Sequence, residues 1–365
     1  MDKRVAFLDL RISDQVDRKE LLDAIDAVFQ HGIFIIGPEV QQFEEKIACS
    51  VGRRYAIGVN SGTDALFIAL KSMGVGKGDE VITTSLSWIA TANAIALTGA
   101  TPVFADIRDD LNIDPESVKR SITSKTKVIM PVHYTGKVCQ MDSLMRIADA
   151  HGLIVIEDAA QAFNAIYKGK KAGSFGSIGC FSMNPMKVLG AAGETGAIVT
   201  DQNDLYEKLI ALRYNGTINK EVCIEPSLNG RIDTIQAAIL LKKLDKVEAI
   251  IKKRRSNAKY YDERLRDIVD IPFETEDEID VYYTYTIKTE DRDKLKSYLE
   301  EKGIETKIQH PYLMPEQPAY NIGVKGKYEN AKKLVKTILC LPINEKLNEK
   351  ELDYVVENVR SFFEG

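Results

Sequence analysis

The sequence has few of the residues that build a disulfide framework or a metal centre. Its 365 residues include five cysteines and four histidines. The cysteines, Cys49, Cys139, Cys180, Cys223 and Cys340, are scattered, odd in number and never spaced Cys-x-x-Cys. That argues against structural disulfides and against a zinc site. His31, His133, His151 and His310 show no metal-ligand spacing either, so no metal is expected. Free and mostly buried thiols in a reducing compartment are the plain expectation. Long apolar runs are also missing: none reaches the ~18 residues a membrane-spanning helix requires. Charges interrupt the N-terminal stretch MDKRVAFLDLRISDQVDR, where a secretion signal would be apolar. The expected location is the cytoplasm. There is no excess of one charge, with 49 Lys and Arg against 54 Asp and Glu and a formal net charge of −5. Neither nucleic acid nor an anionic membrane has a bulk electrostatic claim on such a chain. The richest basic cluster, Lys252–Arg255, sits in a helical pattern and reads as a solvated helix face.

Apolar residues make up 44% and charged residues 28%, as in an ordinary globular protein, and the length suits two lobes. From residue 55, β-branched runs alternate with amphipathic stretches. The strand candidates are Tyr55–Asn60, Glu80–Thr84, Thr101–Asp106, Lys127–Val132, Leu153–Asp158, Ile178–Ser182 and Gly196–Thr200. Such alternation predicts an α/β domain with a mostly parallel seven-stranded sheet covered on both faces. A Gly-rich loop too short for a helix separates the last two strands, so the sheet is expected to be mixed there. Past residue 231 the texture changes. One long helical pattern, Ile232–Leu265, precedes an extended segment (Val281–Thr289), a charged helix, a loop rich in Pro and Tyr, and a last helix from about Asn348. This predicts a large domain over 1–231 and a smaller α+β domain over 232–365.

In parallel α/β sheets, ligands gather at the carboxyl ends of the strands. The first strand runs into Ser61-Gly62-Thr63 and then a helical pattern. A helix N-terminus with a glycine that admits close approach suits a phosphate, and Ser61 and Thr63 add hydroxyls. An ordinary capped turn would read the same. The fifth strand ends in Glu157-Asp158-Ala159-Ala160-Gln161. An acid closing an apolar strand is costly without a cationic partner, and a pyridinium N–H is such a partner. A helix N-cap would also explain Asp158. If a helix starts there, Gln161 shares its face. After the sixth strand comes Ser182-Met183-Asn184-Pro185-Met186-Lys187, with Lys187 among apolar and small residues. Partial desolvation would lower its pKa and make it a nucleophile toward an aldehyde, although a lone lysine is commonly exposed. A phosphate cradle, an acid for a pyridine nitrogen and then a lysine form, in this order, the set that pyridoxal 5′-phosphate (PLP) requires.

The same segments make the chain resemble fold-type-I PLP enzymes, and more closely the DegT/DnrJ/EryC1/StrS sugar aminotransferase family. The resemblance spans nearly the whole chain: Gly37–Val40, Ser61–Leu66, Gly78–Ile82, Glu157–Gln161, Phe181–Lys187 and Asn229–Arg231 leading into Asp233–Ala238. It implies that Lys187 bonds the cofactor aldehyde and that Asp158 pairs with the pyridine nitrogen. It implies Gln161 near the phenolic oxygen, and Ser61, Gly62, Thr63, Ser182 and Asn184 among the cofactor contacts. Trp88 takes the place of the ring that stacks on the cofactor. Asn229 would reach the phosphate in a neighbouring subunit, and Arg231 its substrate, which implies a homodimer with shared sites. Arg231 would equally serve a salt bridge at a helix start. Gln309-His310-Pro311-Tyr312 resembles a substrate-side His-Tyr-Pro motif with its first two residues changed. Gln309, His310 and Tyr312 are therefore substrate-side candidates. Asn184 departs from the aromatic or His common among relatives.

The implied reaction moves nitrogen from L-glutamate, through pyridoxamine 5′-phosphate, to a keto-sugar. The expected acceptor is a nucleotide-linked 3- or 4-keto-sugar on a route to polysaccharide or a glycosylated product. A lysine at 187 speaks against the branch that carries His there and removes a hydroxyl. Two other readings stay open: action on a free or phosphorylated keto-sugar or ketopolyol, and a non-catalytic binding or regulatory protein on the same scaffold. A dinucleotide-dependent dehydrogenase is excluded, because no Gly-x-Gly-x-x-Gly turn follows the first strand.

Overall fold

The computed structural model describes residues 5–320 and 327–365. Residues 321–326, in the loop rich in Pro and Tyr, and residues 1–4 lie outside the described residues. Seven strands form the main sheet: β1 (Tyr55–Val59), β2 (Glu80–Thr84), β3 (Thr101–Ala105), β4 (Thr126–Met130), β5 (Ile154–Asp158), β6 (Ile178–Ser182) and β7 (Gly196–Thr200). Their order is β1-β7-β6-β5-β4-β2-β3. Only β7 runs against the rest, pairing antiparallel with both β1 and β6. The expected mixed pairing is thus a hairpin-like return through the loop that carries Lys187.

Alternate residues of each strand face opposite ways, so both faces need cover. Ile82, Ile129, Val155 and Val199 join one core with the helices Pro38–Val51, Met141–His151 and Thr234–Leu244. Their neighbours Val81, Val128, Ile156 and Ile198 join another with the helices Gly62–Ser72, Ala90–Leu97 and Asn203–Arg213. The two helices before β1, Gln15–His31 and Pro38–Val51, end on left-handed glycines, Gly32 (φ 72°) and Gly52 (φ 77°), a conformation that side chains resist.

The single long helix expected over 232–265 is two helices, Thr234–Leu244 and Val247–Leu265, broken at Asp245-Lys246. Ala237, Leu240, Val247 and Ile251 belong to the large lobe's core. Ala258, Tyr261 and Leu265 belong to the small lobe's, with Tyr285, Leu295, Leu339 and Val355. Because one helix serves both cores, we propose that the lobes divide within Val247–Leu265 and not at residue 232. The small lobe also holds a helix, Glu329–Thr337, and a strand, Ile338–Leu341, which pairs antiparallel with Tyr285–Lys288. Neither was legible in the sequence. The final helix, Glu349–Glu364, starts as expected, with Asn348 and Glu351 forming a capping box. The expected solvated basic face fails at Arg254. That side chain is 3% exposed, donating to the Tyr282 carbonyl at 3.2 Å and to Glu345 at 3.0 Å.

A fully buried carboxylate fixes the sheet's carboxyl edge. Glu157 accepts N–H bonds from Gly173 (2.8 Å), Phe175 (2.7 Å) and Gly176 (2.8 Å) and lies 2.9 Å from His133 Nε2. His133 Nδ1 accepts from the Cys139 N–H, so Nε2 is the donating nitrogen. Burial alone would raise this carboxyl; the imidazole and the amides hold it below its ordinary value. Glu157→Ala would orphan four donors, and its cost is about 3 kcal/mol or more. Its thermal midpoint should fall clearly below wild type, whereas an unchanged midpoint would refute the anchoring role.

Candidate active site

The ends of β1, β2, β5 and β6 open into one cavity of about 450 Å³ between the lobes. It is lined by Ser61, Gly62, Thr63, Trp88, Asp158, Gln161, Ser182, Asn184, Lys187, Gln309 and His310, eleven of the residues singled out from the sequence. The small lobe closes it with Tyr283, Thr284, Lys307, Ile343 and Asn344, and Phe7 and Leu8 complete the rim.

The helix Gly62–Ser72 begins at the cavity, with Ser61 as N-cap accepting from the Asp64 N–H at 3.0 Å. The first N–H groups of such a helix are free for an anion. Gly62 is required by its neighbour: a Cβ there would lie 2.6 Å from the Ser182 Cβ. Ser182 ends β6, so the cradle joins a helix start to a strand end.

Asp158 ends β5 and is 3% exposed. No helix begins there. Residues 159–165 form turns, and Gln161 is placed instead by accepting the Thr135 N–H at 2.9 Å. Thr135 holds a left-handed φ of 64°, rare for a β-branched residue. Asp158 Oδ2 accepts the Thr91 hydroxyl at 2.9 Å and Oδ1 the Ala160 N–H at 3.2 Å. Burial pushes this carboxyl above its ordinary pKa, against those two bonds and the charge of Lys187. Among the described residues it has no bonded cation.

Lys187 lies between β6 and β7, half-buried, its Nζ 4.3 Å from the centre of the Tyr283 ring. The Lys187 N–H donates to the Asn184 carbonyl at 2.8 Å, while the Asn184 amide donates to Glu194 at 2.7 Å. Trp88 is 61% exposed at the rim, 5.8 Å from the His310 ring. His310 Nδ1 is 3.0 Å from the Tyr134 hydroxyl. Burial, followed by the Lys187 charge, lowers His310 to about 4, so it is neutral at neutral pH.

Three residues singled out from the sequence do not line this cavity. Tyr312 is 67% exposed. Arg231 bonds Asn229 Oδ1 through Nε at 2.8 Å and lies over the Tyr214 ring at 4.4 Å. Sequence reasoning missed Thr91, Tyr283, Arg254 and Lys307. Thr91 follows Trp88 by one helical turn, a spacing that could have flagged it; the small-lobe residues carried no local signal. Among the described residues, no group of three or more His, Cys, Asp or Glu side chains could hold a metal ion, and no helix is long and apolar enough to cross a membrane.

The arrangement fits PLP on three counts. Among the described residues, a buried carboxyl without a bonded cation would suit a pyridinium, a helix N-terminus with no room for a side chain a phosphate, and an amine without an ion pair an aldehyde. Fold and site therefore define a fold-type-I PLP-dependent aminotransferase. The sequence profile of the DegT/DnrJ/EryC1/StrS aminotransferase family matches residues 15–360, and the chain belongs to that family. Among its relatives, a "pleiotropic regulatory protein" of Geobacillus stearothermophilus is 39% identical over 98% of both chains. The dTDP-3-amino-3,4,6-trideoxy-alpha-D-glucose transaminase of Streptomyces venezuelae is 37% identical over 99% of this chain and 97% of its own. Solved structures agree. S. venezuelae DesV in complex with a ketimine intermediate superposes with a TM-score of 0.96 at 37% identity, covering 99% of each chain. NtdA of Bacillus subtilis with bound PMP superposes at 0.93 and 32%, over 99% of this chain and 86% of that one. The cofactor is PLP.

An acid whose folded pKa is raised stabilises the fold fully below its unfolded pKa and loses that contribution as pH rises through the folded value. Apo Asp158→Asn should therefore gain thermal stability relative to apo wild type as pH rises from about 4 toward neutrality, while binding PLP more weakly. A variant that loses ground to wild type over that range would contradict the buried, uncompensated charge.

Proposed function

We propose that this enzyme transfers the amino group of L-glutamate to a nucleotide-linked 3- or 4-keto-sugar, as a homodimer whose sites lie at the subunit interface. The observation that carries the reading is the union, in one cavity, of a free amine (Lys187), a cation-seeking carboxylate (Asp158) and a phosphate cradle (Ser61, Gly62, Thr63, Ser182). The transaminase names of the relatives direct the choice of acceptor.

When bound, PLP supplies an electron sink for charge developing on the donor's α-carbon. The chain's residues do the rest. Lys187 Nζ would hold the aldehyde carbon in the resting enzyme. With a donor bound, the freed Nζ amine would be the base for the α-proton. Asp158 would keep the proton on the pyridine nitrogen. The Gln161 amide, its oxygen fixed by the Thr135 N–H, would offer its nitrogen to the cofactor. The N–H groups at Gly62 and Thr63 and the Ser182 hydroxyl would hold the phosphate, and Trp88 would pack against the ring. Gln309 and neutral His310 offer hydrogen bonds to sugar hydroxyls. Lys307 is suited to a diphosphate or carboxylate: it makes no ion pair within the described residues and lies 4.9 Å from the Phe7 ring. Arg254, the cavity's other small-lobe cation, is already paired with Glu345.

The interface is supported by Ile33, Phe34, Ile35 and Ile36, four consecutive apolar residues each at least 39% exposed. Such a patch on a soluble protein marks a contact surface. The Phe34 carbonyl accepts the Thr234 N–H, and Ile35 bridges Asp233, so the patch adjoins Asn229 and Arg231. This suits their reaching a neighbouring site. A regulator on this scaffold, as one relative's name implies for that protein, would need none of the retained chemistry.

The test offers enzyme and glutamate a panel of nucleotide-linked, phosphorylated and free keto-sugars, with products read by mass spectrometry. Conversion of a nucleotide-linked member to its amino-sugar is expected. Conversion only of free or phosphorylated members, or bleaching by glutamate of none of the cofactor's ~420 nm absorbance, would overturn the acceptor and the enzymatic reading respectively.

A further inference from the structure

Behind Asp158 lies a chain of two buried hydroxyls that the reaction as described does not use. Thr91 is 2% exposed and Ser87 4%. Thr91 Oγ1 is 2.9 Å from Asp158 Oδ2 and 3.2 Å from Ser87 Oγ. The direction of these bonds follows from counting protons. Ionised Asp158 accepts only, so the single Thr91 proton is committed to it. Thr91 Oγ1 can then only accept from Ser87, and the chain runs Ser87 to Thr91 to Asp158. A threonine in the first turn of a helix ordinarily has a backbone carbonyl as an alternative partner. Here the acid takes it.

The placement is specific. Thr91 sits in the helix Ala90–Leu97, and its N–H donates to the Trp88 carbonyl at 3.1 Å. One short turn therefore carries both the ring at the cavity rim and the donor beneath the acid. Asp158 Oδ1 is occupied by the Ala160 N–H, so each carboxylate oxygen is pinned once. Each keeps one lone pair for the cavity.

We propose that Thr91, oriented by Ser87, is a positioning residue that holds Asp158 ionised and aimed, and thereby keeps the cofactor's pyridine nitrogen protonated. The proposal rests on the reading that Asp158 faces that nitrogen. Physically, the buried carboxylate has given up its hydration, and a hydroxyl donor favours its charged form over its neutral one. Other charges act on Asp158 from a distance: Lys187 from the following loop and His133 from beyond β4. Glu157 and Cys180 stand beside it on β5 and β6. His133 is engaged with Glu157 and Cys139. Thr91 is thus the one side chain among the described residues that hydrogen-bonds the acid directly.

The experiment reconstitutes wild type, Asp158→Asn, Thr91→Val, Thr91→Ser and Ser87→Ala with PLP labelled with 15N in the ring, and reads the pyridine nitrogen shift near neutral pH. Wild type should report a protonated nitrogen and Asp158→Asn an unprotonated one. Thr91→Val, nearly isosteric, should move part of the way toward Asp158→Asn, with a glutamate half-reaction slowed roughly 10- to 100-fold, the worth of a hydrogen bond to a charged group. Thr91→Ser should restore both, and Ser87→Ala should move the shift less, in the same direction. A Thr91→Val shift equal to wild type overturns the proposal while leaving Asp158 its role. An Asp158→Asn shift equal to wild type overturns both. Should Thr91→Val fail to fold, Ser87→Ala decides: a shift identical to wild type overturns the relay.

Discussion

A carboxylate buried at the carboxyl edge of a sheet, with no cation bonded to it among the described residues, is the constraint on which the site depends. Asp158 reaches that position because β5 lies near the middle of the sheet, flanked by β4 and β6, with helices on both faces. It is buried there, and burial disfavours its charge. Two bonds from Thr91 and Ala160 reduce that cost without removing it. The remaining deficit would favour taking up a pyridinium, and a carboxylate facing that nitrogen would strengthen the ring's electron demand.

The rest of the architecture delivers partners to that acid. β7 returns antiparallel beside β6, so the connecting loop must turn back over the sheet's carboxyl edge, and Lys187 rides on it. The Gly62 helix starts at the same edge, close enough to β6 that a side chain at 62 would collide with Ser182. The anion site, the amine and the acid thus come from strand ends that neighbour one another in space, although 61, 158 and 187 are far apart in the chain. The small lobe adds the opposing wall. Tyr283 faces the Lys187 amine, and Lys307 and Asn344 line the mouth. Val5, packed in the small lobe's core and bridged to Ile304, carries the N-terminal segment across so that Phe7 and Leu8 reach the cavity.

The large lobe was legible because its strands are β-branched runs with turn residues at their ends, and because strand ends are where chemistry gathers. All seven strands lie where the sequence put them, and the cofactor-side residues of one chain converge. What stayed illegible depends on tertiary contact. The break at Asp245-Lys246 has no Gly or Pro to announce it. Ile338–Leu341 is four apolar residues that periodicity alone cannot assign. Arg254 sits in a run of four basic residues, and only packing against Tyr282 and Glu345 distinguishes it from its neighbours. Gln161 needed no helix, since the Thr135 backbone holds it. Asn229 and Arg231 lie outside this cavity, so its geometry does not define their role.

The central claim is that one amine, Lys187 Nζ, holds the cofactor aldehyde in the resting enzyme. Borohydride reduction of the holoenzyme followed by peptide mass spectrometry tests it directly. A pyridoxyl group fixed on Lys187 is the predicted result. Reduction that labels another lysine, or leaves Lys187 unmodified in protein with bound PLP, would contradict the account.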